Sequence, residues 1–492
     1  MTPDMKISSI TRIISVAFCC IFFAVQPAHA QFYTNGDDPG KTRWSRMDSP
    51  NYRIIYPSGL DSLARVYGHE LERFRMAESI SSGLVPGEGY RRRTPVILHA
   101  FNGISNGSIT WAPKRADLYT LQDAYDPEPM PWVKSLAVHE SRHMAQMQFG
   151  YKGWLKPLTY IIGAMAVGAY SAIWPSTWFL EGDAVVAETA LTNYGRGRSA
   201  DFLSYYMMAF DNADWRNWYR WRYGSYRHYS PNHYALGYMT IAGTRYCFDD
   251  PLFTERYFAR TASNPFRFFN TQKTVKQASG KRFKDSFSEI MTGFHEIWKE
   301  ETALREPFTE AAQIQESGKW YREISGTTIS DGRIFCIVNG MDMTSYLAEY
   351  DKVTGGFKRL SGFASYSSRI KAHDGKIWWS ESVPDSRWSL EMTSRIRYYD
   401  LSSGKTGNLT SKGRLFTPSI SEDGSMIACT EYPVAGGSAV VMLSSADGKE
   451  ISRLQMPDSL QAVEACFAGK HLAVSTISEK GSGIFIVNTS VN

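Results

Sequence analysis

The residues best suited to chemistry form one pentad, His139-Glu140-Ser141-Arg142-His143, with the pattern H-E-x-x-H. Positions i and i+4 of a helix share a face, so both imidazoles can reach one metal ion. Neutral imidazoles suit zinc, and Glu140 then lies beside a water held at the metal and can act as its general base. The pentad predicts one Zn2+ per chain and hydrolytic chemistry. The competing interpretation is a surface helix with two incidental histidines.

A second segment, Trp178 to Glu188, supplies the remaining parts of such a site. A catalytic zinc ion needs three protein ligands and one open position, and Glu181 is the predicted third ligand. Glu188 follows it by two helical turns on the same face, where it can accept a hydrogen bond from a ligand histidine. Asp183 falls on another face and is predicted to be solvated or structural.

The two segments together, H-E-x-x-H and W-x-x-E-G-x-A-x-x-x-E, resemble the gluzincin metallopeptidases of the peptidase-MA-like and aminopeptidase types. The resemblance implies an α+β zincin-like catalytic domain, with His139, His143 and Glu181 as zinc ligands and Glu140 as general base. It also implies that the strand at residues 94–101 and the segment 111–113 lie near the edge strand of the substrate cleft. The chain has no G-x-M-E-N motif, so recognition of a free substrate amino terminus is not expected.

Two further residues are candidates for transition-state stabilisation. Gluzincins often place a Tyr or His from a later helix against the developing oxyanion, and His233 and Tyr234 precede a helical pattern. The alternative is that both are ordinary core or surface residues. They close an aromatic and basic stretch, residues 202–234, which fits either substrate stacking at the cleft or a layer of packed cation–π pairs. A net charge of only +5 argues against nucleic-acid binding.

The elements that must position these residues lie between about residues 43 and 305. Strands are predicted at 51–56 and 94–101, an amphipathic helix from Leu60 to Phe74, and a second helix from Pro131 to Gly150. Between the two zinc segments lies an uncharged stretch, residues 158–174. It predicts either a buried helix or loop of the catalytic domain, or a hairpin in peripheral contact with a membrane.

The chain changes character after about residue 320. Turns at Asp331-Gly332, Asp374-Gly375, Asp423-Gly424 and Ala468-Gly469 each precede an apolar run, at steps of 43, 49 and 45 residues. This period, with further hairpins of the form YD…SGK, is typical of propeller blades and resembles TolB-like propellers. An all-β propeller-like region of about four blades is therefore expected. A β-sandwich with chance spacing is the alternative.

The first 30 residues predict a secretory signal peptide. Lys6 and Arg12 precede an apolar run, and Ala28-His29-Ala30 has the form of a cleavage site. The alternative is an N-terminal membrane anchor. The predicted organisation is a leader at 1–30, a gluzincin-like metallopeptidase domain at 31–310 and a propeller region at 320–492. The leader predicts an exported protein that is periplasmic, associated with an outer membrane or extracellular.

The combined hypothesis is an exported zinc metallopeptidase that acts on a peptide or protein, with the propeller available to a protein partner. Two other hypotheses remain open at this point. The protein could be a cell-envelope binding module whose zinc site is structural or silent, or it could hydrolyse a non-peptide amide.

Overall fold

The computed structural model describes residues 37–85, 92–125, 128–225, 228–264, 266–311, 320–363 and 369–488. The predicted leader at residues 1–30 lies outside these ranges. The described chain contains a mixed α and β part up to Ala303, followed by a part built of strands alone from Arg322 onward.

The first part is built around a five-stranded sheet with the order β1-β2-β3-β5-β4. Its strands are β1 (Trp44–Asp48), β2 (Tyr52–Pro57), β3 (Thr94–His99), β4 (Gly107–Trp111) and β5 (Lys114–Tyr119). The three inner strands are parallel, whereas β1 and β4 are antiparallel edges. Alternate residues of the inner strands, such as Tyr52, Ile54, Val96 and Leu98, are buried beneath the helices, as a half-buried strand requires.

This strand order revises one expectation about the cleft. The segment at 94–101 was expected beside the edge strand, but β3 lies in the middle of the sheet, between β2 and β5. The β4–β5 hairpin folds back so that β5, and not β4, pairs with β3. The exposed edge is therefore β4, which begins at Gly107 and ends at Trp111.

Eleven α-helices occur among the described residues. They are α1 (Asp61–Ser81), α2 (Trp132–Gln148), α3 (Leu155–Ile162), α4 (Ala164–Ile173), α5 (Thr177–Leu191), α6 (Ala200–Asp211), α7 (Trp218–Tyr223), α8 (His233–Cys247), α9 (Phe253–Ser263), α10 (Asn270–Ser279) and α11 (Phe283–Ala303). Helix α2 begins directly after Pro131 and is buried along almost its whole length, with apolar residues such as Leu136 and Ala137 packed on the sheet. Because the helix is packed on all sides, its side chains have little freedom to change conformation.

Helix α5 is packed unusually close to α8. A Cβ atom at Gly182 would lie 2.3 Å from the carbonyl carbon of Gly237, and one at Gly237 would lie 2.1 Å from the carbonyl oxygen of Trp178. Only glycine allows this approach, so the pair fixes the distance between the two helices.

The stretch at 158–174 forms neither a single buried helix nor a membrane span. It is divided between α3 and α4 by Gly163, whose φ of 60° ends the first helix. Several of its large side chains are exposed, including Tyr160, Ile161 and Met165. In the described ranges, every helix is too short or too polar to cross a membrane.

The second part consists of four successive antiparallel sheets and confirms the propeller-like architecture. Their strands are β6 (Arg322–Ser330), β7 (Arg333–Gly340), β8 (Met343–Tyr350), β9 (Phe357–Gly362); β10 (Lys371–His373), β11 (Lys376–Pro384), β12 (Met392–Asp400), β13 (Lys405–Asn408); β14 (Leu415–Ile420), β15 (Met426–Glu431), β16 (Ala439–Ser444), β17 (Glu450–Gln455); and β18 (Gln461–Ala468), β19 (His471–Ser478), β20 (Gly481–Asn488). Each predicted turn joins the first two strands of one sheet. Asp331 and Asp374 have φ of 50° and 43°, and the glycines after them have φ near 70°, which explains the repeated Asp-Gly pair.

The two parts contact each other at several places. Lys134 of α2 pairs with Glu479 of the β19–β20 turn at 2.6 Å, and the hydroxyl of Tyr194 donates to the carbonyl oxygen of Lys480 at 2.6 Å. Another contact joins the hydroxyls of Tyr125 and Ser380 at 3.0 Å. The last blade therefore touches both the helix that carries the H-E-x-x-H pentad and the segment that follows α5.

Candidate metal centre

A cleft of about 400 Å³ lies between the edge strand β4 and helices α2, α5 and α8. Its walls contain both polar and apolar residues, most of them from these elements. They include Asn106, Gly107, Ser108, Ile109, Trp132, Ser135, Leu136, His139, Glu140, His143, Met147, Leu180, Glu181, Arg196 and Tyr234. Five of the seven site residues predicted from the sequence line this cleft; Glu188 lies behind His139, and His233 is not part of the wall.

Three side-chain atoms converge at the floor of the cleft. The Nε2 atoms of His139 and His143 lie 3.2 Å apart, and each lies 3.2 Å from Oε2 of Glu181. The histidines are one turn apart on α2, and α5 brings the carboxylate to them. In the described part of the chain, this is the cluster whose ligand atoms could hold a metal ion.

The chemistry of these three atoms fits a zinc ion. Nδ1 of His139 lies 3.2 Å from Oε2 of Glu188, and Nδ1 of His143 lies 2.8 Å from Oε1 of Gln146, so both outer nitrogens can donate protons to oxygen acceptors. Both Nε2 atoms then carry lone pairs that point at each other and at Glu181, an arrangement that a cation stabilises. Tetrahedral zinc bonds of 2.0–2.1 Å would separate the ligand atoms by about 3.3 Å, close to the spacing seen.

Glu188 lies behind His139 and is completely buried. Burial raises the pKa of its carboxyl group, but Arg196 and His139 together outweigh this and bring the pKa to about 2, so Glu188 is ionised. Nε of Arg196 donates to Oε1 at 2.8 Å. Nη2 of Arg196 also lies 2.9 Å from Nδ1 of His139. When Nδ1 instead carries the proton and donates it to Glu188, the lone pair of His139 is on Nε2, as a metal ligand requires.

Glu140 faces the cleft beside the edge strand. A Cβ atom at Gly107 would lie 2.6 Å from its Oε1, so any larger residue there would require the Glu140 carboxylate to move. Its other oxygen, Oε2, is buried and has no hydrogen-bond partner among the described residues. Burial raises the pKa of the Glu140 carboxyl group above its usual value. The carboxyl group is therefore available to a molecule in the cleft.

Tyr234 and His233, the two oxyanion candidates, are placed differently at the start of α8. The ring of Tyr234 stacks on His139 with 6.2 Å between ring centroids, and the guanidinium of Arg196 lies 5.2 Å from its centroid. Burial raises the pKa of Tyr234, and its hydrogen bond to Glu181 raises it further, so the hydroxyl keeps its proton. His233 lies outside the cleft wall, and burial lowers its pKa.

Asp183 is fully buried and structural, and is not solvated. Its two oxygens accept from Nε and Nη2 of Arg142 at 2.7 and 2.9 Å, and Oδ2 also accepts from Gln146 at 2.8 Å. Arg142 donates in addition to the carbonyl oxygen of Glu78 in α1. This buried network ties α1, α2 and α5 together behind the three converging atoms.

Sequence patterns did not identify four residues of the site. Gln146 stands one turn after His143, a spacing that could have marked it as a partner of that imidazole. Arg196 and Glu128, whose side chains lie 3.2 Å apart, come from irregular segments where no periodicity points to the site. Gly107 begins β4, a strand that was not among those predicted from the sequence.

Comparisons with known proteins give low-scoring similarities to solved structures and identify no family for this chain. No protein-family model matches the sequence, and no curated protein matches it at a significant level. Similar solved structures include TolB from Acinetobacter baumannii (16% identity, 34% of this chain and 43% of that chain, TM-score 0.24). Others are a gluconolactonase from Xanthomonas campestris (14%, 34% and 62%, TM-score 0.25) and an acylaminoacyl peptidase from Pyrococcus horikoshii (8%, 34% and 33%, TM-score 0.25). The chain thus spans less than two thirds of the length of each of these proteins. TM-scores this low do not establish a shared fold.

Proposed function

We propose that this protein is an exported zinc metallopeptidase of the gluzincin type. The observation that supports this most directly is the convergence of His139, His143 and Glu181 at 3.2 Å spacing in an open cleft, with Glu140 beside them. A purely structural zinc site is closed by four protein ligands and has no use for a carboxylate of this kind.

In the proposal, His139, His143 and Glu181 hold one Zn2+, which supplies a Lewis acid that polarises the scissile carbonyl and makes water acidic. Glu140 takes a proton from the attacking water and delivers it to the leaving amine. The raised pKa of the buried Glu140 suits both steps, because a carboxyl group with that pKa can accept a proton and then release it. Glu188 and Gln146 hold the two imidazoles in orientation.

The edge strand is the feature that favours a peptide over another amide. Strand β4 pairs with β5 on one side and, within the described residues, with no strand on the other; its residues Gly107 to Ile109 line the cleft. An unpaired strand edge can bind an extended peptide by main-chain hydrogen bonds. A peptide bound there would pass Glu140, and the hydroxyl of Tyr234 would face it from the opposite wall.

The test is digestion of a diverse peptide library by the zinc-loaded chain that lacks only the predicted leader, with products identified by mass spectrometry. Glu140→Gln should retain zinc and lose cleavage by at least about a thousandfold, because no other group takes over the proton transfer. His143→Ala should lose zinc, measured by elemental mass spectrometry. Glu70→Gln is the matched control, since Glu70 follows His69 in an incomplete copy of the motif outside the cleft.

Two results would contradict the proposal. Full cleavage by Glu140→Gln would remove the assigned base. Zinc binding by the wild type without cleavage of any peptide would instead favour the binding-module hypothesis or a non-peptide amide substrate.

A further inference from the structure

An apolar surface lies on the outside of the segment that joins the two zinc-ligand helices. It comprises Tyr160, Ile161, Ile162, Met165, Ile173 and Phe269, all of them between 51% and 77% exposed. The first four form the tip of the α3–α4 hairpin. Ile173 and Phe269 border one shallow cavity of about 250 Å³ at the other end of α4. With a rise of 1.5 Å per residue, α4 extends the surface over about 15 Å.

The exposed face of α4 has the reverse of the usual pattern. Its solvent-facing residues are Met165, Ala169, Ala172 and Ile173, which follow the i, i+4, i+7, i+8 spacing of one helix face. A surface helix of a soluble domain normally places charged or polar residues there. Large contiguous apolar surfaces of this kind mark sites of contact with another phase or molecule.

The charged residues at this surface are basic. Residues 153–175, which form the hairpin, contain Lys156 and no aspartate or glutamate. The charged residues that line the shallow cavity are Arg222 and Arg267. Exposed aliphatic and aromatic side chains with a rim of Lys and Arg match the interface of a bilayer that contains anionic lipids.

We propose that this apolar surface docks the protein on the surface of an anionic phospholipid bilayer, without crossing it. The hairpin tip enters the boundary between headgroups and acyl chains, and Lys156, Arg222 and Arg267 lie at the level of the phosphates. The helices here have 8 and 10 residues, too few to span a bilayer but enough to lie in its interface.

Flotation with lipid vesicles tests the proposal independently of peptidase activity. The zinc-loaded chain without its leader is mixed with vesicles of phosphatidylcholine, or of phosphatidylcholine with phosphatidylglycerol, and separated on a density gradient. We expect flotation with the anionic vesicles, weaker flotation with the neutral ones, and release by high salt. The double variant Ile161→Glu/Ile162→Glu should bind at least about tenfold more weakly, because two apolar side chains that would be buried in the bilayer become charged.

The controls separate docking from misfolding and from charge alone. Val353→Glu places a carboxylate on a residue that is 94% exposed in the propeller part and should leave flotation unchanged. Lys156→Gln should weaken binding about fivefold to anionic vesicles only. Melting temperatures of all variants should match the wild type, since every mutated side chain is exposed.

Three outcomes would overturn the proposal. One is absence of flotation with either kind of vesicle. Another is equal flotation of the wild type and the isoleucine double variant. The third is a dimer, seen by sedimentation, that the double variant dissociates while vesicle binding is absent, since this would show that the surface pairs with a second copy of the chain.

Discussion

At the scale of single residues, each converging imidazole is fixed by a partner on its far side. His139 has Glu188, and His143 has Gln146, which also bonds to Asp183. The spacing of His139, His143, Glu181 and Glu188 could be read from the sequence because one and two helical turns place residues on the same face. Gln146 and Arg196 could not, because their roles depend on which helices meet in space.

Replacement of Gln146 by alanine tests this support. The variant removes the acceptor for Nδ1 of His143, so the ring is free to turn and its tautomer is no longer fixed. We expect zinc affinity to fall about 10–100-fold, measured by competition with a chelator. Gln148→Ala is the matched control, since this buried glutamine of the same helix bonds to the carbonyl oxygen of Met144, away from the cleft. Equal losses in both variants would indicate general destabilisation.

Tyr234→Phe tests a second residue of the proposed mechanism. The hydroxyl keeps its proton and stands beside Glu181, so it can donate to an oxyanion that develops in the transition state. We expect kcat to fall about 10–1,000-fold with zinc content and KM nearly unchanged. Tyr219→Phe, at a half-exposed tyrosine bonded to Gln272, serves as control. Unchanged turnover in Tyr234→Phe would exclude it from the mechanism.

At the scale of elements, the sequence predicted which helices and strands exist better than how they are arranged. The helix of the pentad, the three Asp-Gly hairpins and the Ala-Gly hairpin were recognisable because periodicity and turn chemistry are local properties. The cleft border was misplaced, because the order β3-β5-β4 depends on a hairpin reversal that leaves no mark on residues 94–101. A hairpin was one of the alternatives for residues 158–174, but the break at Gly163 was not located, because an apolar stretch gives no period that distinguishes one helix from two.

The edge strand leads to a prediction at Gly107. A Cβ atom there would lie 2.5 Å from Cδ1 of Leu136 and 2.6 Å from Oε1 of Glu140, so Gly107→Ala must displace the ends of these two side chains or move β4. We expect a loss of kcat/KM of about a hundredfold, since a displacement of about 1 Å between the Glu140 carboxylate and the substrate has that effect. Gly293→Ala, whose nearest neighbour would be Sγ of Cys247 at 3.5 Å, is the control and should be neutral or slightly stabilising. Full activity in Gly107→Ala would show that a glycine beside Glu140 is not needed for catalysis.

At the scale of the whole molecule, the propeller part and the N-terminal segment both brace the sheet that carries the cleft. The backbone N–H of Leu390, between β11 and β12, donates to the carbonyl oxygen of Asp37 at 2.9 Å. The next residue, Asp38, lies 2.7 Å from Nδ1 of His99 at the end of β3, and Oδ1 of Asp117 in β5 lies 3.1 Å from Nε2. One buried imidazole thus joins the N-terminal segment, which contacts the second blade, to the central sheet.

This junction predicts a stability that declines in mildly alkaline solution. Burial lowers the pKa of His99, but its hydrogen bonds to Asp117 and Asp38 outweigh this and raise the pKa to about 9. The folded state therefore binds the proton more tightly than the unfolded state, whose histidine pKa is about 6.5. The stabilisation is complete below about pH 6.5 and is lost as the pH rises through 9, by roughly 2–3 kcal/mol in the free energy of unfolding.

Urea unfolding of the metal-free protein at several pH values between 6 and 10 measures this effect. His139 and His143 also have raised pKa values without metal and add to the same decline, so the difference between variants isolates the part due to His99. In His99→Gln, the decline in the free energy of unfolding between pH 6.5 and 9.5 should be smaller than in the wild type by roughly 2–3 kcal/mol, and the variant should be less stable than the wild type at pH 6. His69→Gln is the matched control, because the side chain of His69 is 76% exposed and should leave the decline unchanged. If the wild type and His99→Gln lose stability equally with pH, the proton is not held at the junction, and contacts other than the two carboxylates must join the N-terminal segment to the sheet.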